Sequence, residues 1–251
     1  MLSAGSTARV KTTTSDIHEH TNDLITVKRR DSQLLFGERF EIELIDGDWA
    51  FGKSVNDGYE GFVALSTLEP ADGAPTHSVS NILSHIYGEP TFKIRPTLQI
   101  GFKSELICSD IREKGFAEIS GKGWIPEGHI RRAEAPCSLV DTALMFEGAP
   151  YLYGGRSALG LDCSGLTQVV LQACGTHCPR DSDMQLAQGR TGKLERFEAG
   201  DLVFFDAHVG IMIDETHILN ATARTMDTRI EKLSDLEDIY NGILGHWKTL
   251  P

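Results

Sequence analysis

Apolar and polar residues alternate with a period of two along the first half of the chain. Phe40, Ile42 and Leu44 alternate with acidic residues, and Asp46-Gly47-Asp48 then favours a turn. Two further segments with the character of strands, 49–55 and 59–65, are separated by a second turn. Short strands joined by turns rich in glycine and aspartate at this spacing are typical of a small β-barrel.

A second segment rich in predicted strands follows a stretch that is typical of a linker, PADGAPTHSVS at 70–80. Gly61-Phe62-Val63 in the first segment resembles Gly123-Trp124-Ile125 in the other, as if one motif were used twice. The strands of the second segment are predicted at 91–95, 105–109 and 116–119. The pattern therefore predicts a polar, loosely docked tail at 1–24, a barrel at 25–69, a linker at 70–84 and a second barrel at 85–132.

The remainder of the chain, 133–251, has a different pattern. Apolar residues in 166–173 recur at offsets of 0, 3, 4 and 7, which is the stripe of an amphipathic helix. Asp162 fits the N-cap of this helix, and Cys174-Gly175 ends it. Predicted strands follow at 200–205, 208–213 and 218–223. The predicted fold class is thus multidomain, with all-β barrels followed by an α+β domain.

Cys163 lies in the first turn of this predicted helix. Unpaired backbone N–H groups and the helix dipole favour an anion there, so we expect a lowered pKa of the thiol and a nucleophilic thiolate. The alternative is a small buried hydrophobic residue, which is the usual role of a free cysteine. Whether a base and an orienting group lie near Cys163 in the fold distinguishes between the two roles.

A cysteine nucleophile needs a base, usually histidine, and a third group that orients the imidazole. A hairpin centred on Asp214 pairs His208 directly with Asn220 and places both on one face, because side chains alternate along a strand. His217 falls on the opposite face. The pattern predicts Cys163 as nucleophile, His208 as base and Asn220 as orienting residue. Taken alone, His208 and Asn220 are more simply explained as ordinary strand or turn residues.

Composition limits the class of partner and the compartment. The chain of 251 residues has a formal net charge of -12, which argues against nucleic acid or an anionic membrane as the main partner. No segment approaches the length of a transmembrane helix, and the polar N-terminus shows no secretory signal. Five cysteines form an odd set without framework spacing, which fits a reducing compartment where a free catalytic thiol survives, with the cytoplasm as the default.

Cys174, His177 and Cys178 lie close together in the sequence, but a structural zinc site needs four ligands. We therefore expect these residues to pack at the end of the helix, and we expect no metal or other cofactor. Cys108 and Cys137 are expected to be buried or incidental thiols.

Several short motifs occur in order in the C-terminal half of the chain: Pro150-Tyr151, Gly154-Gly155, Asp162-Cys163-Ser164-Gly165, Pro179-Arg180 with Gln185, GDLVFF at 200–205, HVGI at 208–211 and LNAT at 219–222. On these motifs the region from about 139 to 246 resembles the NlpC family of papain-like cell-wall cysteine peptidases. The resemblance implies cleavage of γ-D-glutamyl bonds to a diamino acid, diaminopimelate or lysine, in murein peptides. It also implies a thioester intermediate.

The resemblance assigns roles to individual residues. Cys163 attacks, His208 acts as general base and then as general acid, and Asn220 stands where the family usually has histidine. Asparagine in this role is known in papain-like enzymes, so we interpret Asn220 as a tolerated variant. The Tyr151 hydroxyl helps the Cys163 backbone N–H to stabilise the oxyanion.

Three further residues receive roles beside the nucleophile. Asp162 and Ser164, which flank it, are expected at the substrate, with capping of the helix as the alternative role of Asp162. Arg180 is expected to close its loop over the helix, and a carboxylate partner is the alternative.

The segment 57–63 (DGYEGFV) resembles the end of a bacterial SH3-like domain. SH3-like domains before such a peptidase resemble the layout of intracellular murein-tripeptide recycling enzymes. There the SH3-like domain walls off the cleft and reads the ammonium of a free N-terminal L-Ala. This implies Tyr59 as the residue of that contact, with a surface tyrosine of the barrel as the alternative. A murein peptide is the expected partner, and the oligomeric state is left open.

Two other classes of function are compatible with parts of the chain. One is an acyltransferase or amidase on another acyl substrate. The lack of an apolar acyl-binding segment near Cys163 argues against it. The other is a non-catalytic SH3-like adaptor that binds wall peptide or protein. The combination of Cys163, His208 and Asn220 argues against the adaptor.

Overall fold

The computed structural model describes residues 2–19, 29–132 and 137–249. The chain divides into an N-terminal unit, Met1–Ala135, and a C-terminal unit, Pro136–Pro251. Strands dominate the first unit, whereas the second combines helices with an antiparallel sheet. The predicted fold class, β-barrels followed by an α+β domain, is confirmed.

The described residues in the first half of the N-terminal unit form seven strands: β1 (Thr7–Val10), β2 (Thr14–Ile17), β3 (Ser32–Leu35), β4 (Arg39–Asp46), β5 (Trp49–Ser54), β6 (Glu60–Ala64) and β7 (Leu68–Pro70). A 3-10 helix, Leu65–Thr67, precedes β7. Five strands make one sheet in the order β6-β5-β4-β1-β7, and β2 pairs with β3. The alternate apolar residues of these strands, such as Phe40 and Ile42, point into one buried core.

The polar tail predicted at 1–24 is wrong for the part that the structure describes. β1 pairs with both β4 and β7, and it buries Ala8 and Val10 in the core. β1 and β2 are four residues long and contain few apolar side chains, so the sequence shows no clear period there. Pairing with distant strands orders them instead. Residues 20–24 lie outside the described residues.

Eight strands are described in the second half of the N-terminal unit: β8 (His77–Val79), β9 (Leu83–Ile86), β10 (Leu98–Gly101), β11 (Glu105–Leu106), β12 (Cys108–Glu113), β13 (Phe116–Ile119), β14 (Gly123–Pro126) and β15 (Ile130–Arg132). A 3-10 helix, Glu127–His129, precedes β15. The strands pair as β10-β9, β11-β8-β15 and β12-β13-β14 around a second core that includes Val79, Ile100 and Ile125.

Two predictions for this half are corrected. The linker predicted at 70–84 contains β8 and the start of β9, and the fully buried Val79 belongs to the second core. The strand predicted at 91–95 is part of the loop between β9 and β10. Pro90 and Pro96 flank that loop, and a proline cannot donate a hydrogen bond to a sheet.

The C-terminal unit contains four helices and eight strands within its described residues: α1 (Leu139–Leu144), β16 (Arg156–Ser157), β17 (Gly160–Leu161), α2 (Cys163–Ala173), α3 (Ser182–Leu186), β18 (Arg190–Thr191), β19 (Leu202–Phe205), β20 (His208–Met212), β21 (His217–Thr222), β22 (Asp227–Lys232), α4 (Leu233–Ile239) and β23 (Gly245–Trp247). Six strands form one sheet in the order β18-β23-β19-β20-β21-β22.

The long helix α2 packs against β20 and β21, which brings its N-terminus to the sheet. Leu166, Val169 and Val170, the apolar stripe that predicts the helix, are almost completely buried. A separate apolar cluster joins strands β19 to β21 with α4 and includes Phe205, Met212 and Leu236. The site is therefore framed by a buried helix and a buried sheet, both of which restrict side-chain movement.

Cys137 and Cys174 form a disulfide, with the second cysteine at the C-cap of α2. The expectations of an incidental thiol at Cys137 and of simple packing at Cys174 are wrong, because the fold brings together these two cysteines, which are 37 positions apart in the sequence. Cys108, Cys163 and Cys178 are not in disulfides. A disulfide is more typical of an oxidising compartment than of the cytoplasm.

Candidate active site

The carboxylate of Asp162, the N-cap residue, organises the first turn of α2. Its Oδ1 accepts the N–H of Gly165 at 2.7 Å, and its Oδ2 accepts the N–H of Gly154 at 2.7 Å. The Arg180 guanidinium donates to the same Oδ2 at 2.8 Å, and both charged side chains are buried. A Cβ on Gly165 would lie 2.2 Å from the Gly155 carbonyl oxygen, so only glycine permits this close approach of loop and helix.

Ser164 completes the same buried cluster. Its Oγ accepts a hydrogen bond from Nη1 of Arg180 at 2.9 Å and donates to Oδ1 of Asp162 at 3.4 Å. The structure thus gives Asp162 the capping role and gives Arg180 a carboxylate partner. Contact of Asp162 or Ser164 with a substrate stays a prediction.

Cys163 is buried at the start of α2, and backbone groups of Val209 and Ser164 hydrogen-bond its sulfur. Burial, followed by the nearby Asp162 carboxylate, raises the pKa of the Cys163 thiol to about 11. The two backbone hydrogen bonds and the charge of Arg180 act in the opposite direction but do not prevail. The expectation of a lowered pKa is therefore wrong for the resting structure, because loss of water outweighs the helix N–H groups.

His208 and Asn220 are joined by a hydrogen bond of 3.0 Å between Nε2 and Oδ1. They share a face as predicted, but the predicted register of the hairpin is wrong. The Ile213 N–H bonds the His217 carbonyl oxygen, which closes a loop at 214–216, and Ile211 pairs with Leu219. Asn220 therefore lies diagonally across from His208. A shift by two residues along one strand leaves the face of every side chain unchanged.

The thiol approaches the strand that carries His208 at a point where pairing with the next strand has stopped. Pairing of β20 with β21 stops at Ile211 and Leu219 on the His208 side. The N–H groups of Met212 and Ile213 point to opposite sides of β20, so the N–H of Val209 points away from β19. It hydrogen-bonds the Cys163 sulfur instead of a strand.

The nucleophile candidate therefore lies against the backbone next to His208. In the described part of the chain no direct hydrogen bond joins the Cys163 thiol to the His208 ring. Such bonds are often long in a free enzyme and tighten when substrate binds.

The partners of Asn220 define the protonation of His208. Asn220 donates its Nδ2 to Oε2 of Glu231 at 3.0 Å and to the carbonyl oxygen of Arg229 at 3.3 Å. Its Oδ1, which only accepts, faces Nε2 of His208, so Nε2 carries the proton and Nδ1 is the basic nitrogen. Burial lowers the pKa of His208 to about 4, which keeps the resting imidazole neutral.

Tyr151 lies within electrostatic range of Cys163 and Asp162. Burial is the largest cause that raises the pKa of the Tyr151 hydroxyl to about 12, so this group stays a hydrogen-bond donor at neutral pH. Its backbone N–H bonds the Met226 carbonyl oxygen at 3.0 Å. Within the ranges described, its hydroxyl has no hydrogen bond to the protein and can donate to an oxyanion.

Comparison with known proteins bears directly on this arrangement. The NlpC/P60 family model matches residues 148–240, and a model described as the bacterial dipeptidyl-peptidase Sh3 domain matches residues 27–68. A Haemophilus influenzae protein named "Probable endopeptidase" is 35% identical over 125 residues, which are 47% of this chain and 74% of that protein. The chain belongs to the NlpC/P60 family. The predicted resemblance is confirmed.

Similarity to other NlpC/P60 proteins extends over both units. A protein of Bacillus subtilis (strain 168) named "Gamma-D-glutamyl-L-lysine dipeptidyl-peptidase" is 27% identical over 237 residues, 83% of this chain and 77% of that protein. The solved structure of an NlpC/P60 family protein from Bacillus cereus ATCC 10987 has a TM-score of 0.82. It covers 98% of this chain and 100% of its own, at 19% identity, and so supports the fold alone.

Three residues around the NlpC/P60 site were not predicted from the sequence: Glu231, Arg224 and Tyr240. Tyr240 stacks on His208, and Glu231 holds both Asn220 and Arg224. Charged and other residues alternate in 227–231 (DTRIE), which indicates a strand. Pairing of this strand with the one that carries Asn220 would have suggested Glu231 as a neighbour of the site. No local signal marks Tyr240, because it follows a separate short helix.

Tyr59 belongs to the N-terminal unit, where it is half-buried and packs against the first core. Its N–H bonds Oδ1 of Asp57 at 3.1 Å, which shapes the turn before β6. Its role in reading a substrate amine stays a prediction.

The described residues contain no group of three or more histidine, cysteine or acidic side chains arranged to hold a metal ion. None of the helices in the described ranges has both the length and the apolar character needed to cross a membrane.

Proposed function

We propose that the protein is a cysteine endopeptidase that hydrolyses γ-D-glutamyl–diamino acid bonds in murein peptides, with diaminopimelate or lysine after the bond and a free N-terminal L-Ala before it. The observation that carries the proposal is the Cys163 sulfur against the Val209 N–H, next to a His208 ring bound to Asn220. Family membership and a relative named for γ-D-glutamyl-L-lysine cleavage support the choice of substrate.

The proposed reaction begins with transfer of the Cys163 proton to Nδ1 of His208. The thiolate attacks the γ-carbonyl carbon of D-Glu, and the resulting oxyanion accepts hydrogen bonds from the Cys163 N–H and the Tyr151 hydroxyl. Imidazolium donates its proton to the leaving amine as the C–N bond breaks, which leaves a thioester on Cys163. His208 then takes a proton from water, the hydroxide attacks the thioester, and the acid product leaves as the thiol is restored.

The resting pKa values fit a site in which charge forms only during the reaction. The thiol pKa of about 11 and the imidazole pKa of about 4 describe a neutral pair in the free protein. Proton transfer therefore costs free energy that the oxyanion donors and the Asn220 contact must offset in the transition state. A bound peptide that excludes water also strengthens these contacts.

The test is mass spectrometry of L-Ala-γ-D-Glu-diaminopimelate, and of its lysine analogue, incubated with the wild type and with Cys163→Ala. Cys108→Ala, which removes a thiol from the N-terminal unit, is the matched control. Release of L-Ala-D-Glu by the wild type and the control, but not by Cys163→Ala, is expected. No cleavage of either peptide would favour another acyl substrate or the adaptor function.

Selection of a free N-terminal amine is a separate part of the proposal. The same peptides with an acetylated N-terminus are expected to be spared, and Tyr59→Phe is expected to weaken this discrimination if the phenol reads the ammonium. Equal cleavage of free and acetylated peptides would keep the peptidase and remove the amine selection.

The cytoplasmic location also belongs to the proposal, and the Cys137–Cys174 disulfide is the feature that counts against it. Cells quenched with acid and then alkylated report the state of this pair by mass. A reduced pair would support the cytoplasm, and an oxidised pair would contradict it.

A further inference from the structure

The two ends of the Asn220 amide have different partners. Oδ1 faces Nε2 of His208, whereas Nδ2 donates to Oε2 of Glu231. The oxygen and nitrogen ends of an amide are nearly the same size, so only the partners decide which end faces the imidazole. A carboxylate accepts hydrogen bonds and does not donate them, so Glu231 keeps the NH2 end on its own side.

The orientation of Asn220 in turn decides the tautomer of His208. With Oδ1 facing the ring, Nε2 must donate and Nδ1 is free to take a proton. A flipped Asn220 would present its NH2 group to Nε2, and Nε2 would then have to accept. The proton would move to Nδ1, and the nitrogen that acts as base in the proposed reaction would be lost.

Glu231 and His208 are also connected by a second route. Nη2 of Arg224 donates to both carboxylate oxygens of Glu231, at 2.8 and 2.7 Å. The Arg224 side chain also hydrogen-bonds Tyr240. The Tyr240 ring stacks on the His208 imidazole, with centroids 4.8 Å apart and planes inclined by 10°. The contacts therefore run from His208 through Asn220, Glu231, Arg224 and Tyr240 back to His208.

We propose that Glu231, Arg224 and Tyr240 form a positioning ring for the candidate base. Glu231 selects the orientation of Asn220 and thereby the tautomer of His208, and Tyr240, anchored by Arg224, holds the plane of the imidazole. These are positioning residues, because they act through Asn220 and His208. The inference rests on the proposed function in treating His208 as the base for Cys163.

The charged residues of the positioning ring affect how easily His208 takes up a proton and becomes a cation. Burial is the main cause that disfavours imidazolium at His208, and the Arg224 guanidinium adds to it, whereas the Asn220 hydrogen bond and the Glu231 carboxylate favour it. Glu231 thus offsets the charge of Arg224 next to the imidazole. Removal of the carboxylate would leave the guanidinium to oppose proton transfer from Cys163.

The test measures thiol reactivity, so that it does not depend on the choice of peptide. Iodoacetamide labels the protein over a range of pH, and peptide mass spectrometry gives the rates at Cys163 and at Cys108. Burial raises the pKa of both thiols to about 11, and Cys108 lies in the N-terminal unit, so it serves as an internal reference. Labelling of Cys163 near pH 7 relative to Cys108 therefore reports proton transfer to His208.

Four variants isolate the role of Glu231: Glu231→Gln, Asn220→Ala, the two combined, and the control Glu237→Gln. Gln at 231 offers both a donor and an acceptor, so it no longer selects one Asn220 orientation. Glu237→Gln removes the α4 carboxylate of an exposed ion pair with Lys193, which lies in a loop. Glu231→Gln is expected to slow Cys163 labelling about 10-fold, because a hydrogen bond to a charged group is lost, and Glu237→Gln is expected to leave it unchanged.

The double variant distinguishes positioning from a general structural effect. If Glu231 acts in part through Asn220, Glu231→Gln is expected to slow Cys163 labelling less in the Asn220→Ala background than in the wild type, because only its charge effect on His208 remains there. The same loss in both backgrounds, or no loss with Asn220 present, would overturn the proposal. Thermal unfolding of each variant identifies any loss that comes from partial unfolding.

Tyr240 is tested by the contrast between two substitutions. Tyr240→Phe keeps the stacked ring, whereas Tyr240→Leu removes it, so the leucine variant is expected to lose more of the Cys163 labelling. Equal rates in both would overturn the role of the stack. Peptide hydrolysis is measured in parallel: labelling that follows the expected pattern without any hydrolysis would reject the proposed substrate and leave the positioning ring intact.

Discussion

Removal of the Cys137–Cys174 disulfide is expected to destabilise the C-terminal unit. The bond joins residues 37 positions apart and ties the start of the unit to the C-cap of α2. For a loop of this length, the loss of chain entropy in the unfolded state corresponds to about 4 kcal/mol of unfolding free energy. A change of this size increases the population of open molecules roughly 1,000-fold. Cys163 lies at the opposite end of α2, so the site itself is expected to keep its geometry.

The assay compares the wild type with the Cys137→Ser/Cys174→Ser variant and uses two thiols as probes. Cys178 is fully buried in the C-terminal unit, and Cys108 lies in the N-terminal unit. Alkylation in a urea series, followed by peptide mass spectrometry, gives the rate at which each thiol becomes exposed. We expect Cys178 to be labelled at lower urea in the variant, while labelling of Cys108 stays the same.

Two results would refute this reasoning. An identical urea dependence of Cys178 labelling in both proteins would mean that the disulfide does not stabilise the unit. A matching shift at Cys108 would mean that the effect is not confined to the C-terminal unit.

Three further predictions concern the site. Asp162→Asn is expected to lower the unfolding free energy by about 3 to 5 kcal/mol, because Arg180 loses its buried counter-charge. In urea unfolding, the control Glu237→Gln, which breaks an exposed ion pair, should lose less than about 1 kcal/mol. Equal losses in the two variants would contradict this prediction. Tyr151→Phe is expected to lower kcat about 100-fold with little change in KM; steady-state kinetics with unchanged kcat would remove Tyr151 from the oxyanion site. The pKa of His208 is about 4 in the folded protein and 6.5 as its ordinary value. Between these pH values the imidazole is protonated in the unfolded chain but not in the folded protein. The unfolding free energy therefore falls by about 3 kcal/mol as the pH decreases from 6.5 to 4. Urea unfolding from pH 7 to pH 4 should show a smaller fall in His208→Gln, and parallel curves would contradict it.

Local features of the fold and site were predictable from the sequence alone. The apolar stripe in 166–173 and the cap at Asp162 define α2, because helix hydrogen bonds and caps join residues that are near neighbours in sequence. The shared face of His208 and Asn220 was predictable for a similar reason. Alternation along a strand is a local property, and it survives an error of two residues in register.

Features that depend on distant segments were decided by the tertiary structure. β1 is a strand because β4 and β7 pair with it, and Cys137 meets Cys174 because α1 and α2 lie side by side. The register of the hairpin follows from the loop at 214–216. The sequence suggested a turn centred on Asp214 and did not reveal the length of this loop.

The chemistry of the site divides in the same way. The sequence determined which residues carry the thiol, the imidazole and the amide, because these are properties of single side chains. Their pKa values and orientation depend on burial and on Glu231, Arg224 and Tyr240, which come from β22, from the turn before it and from the end of α4. These side chains lose water and share hydrogen bonds only when segments that are distant in the sequence pack around them. No local pattern of residues predicts that packing.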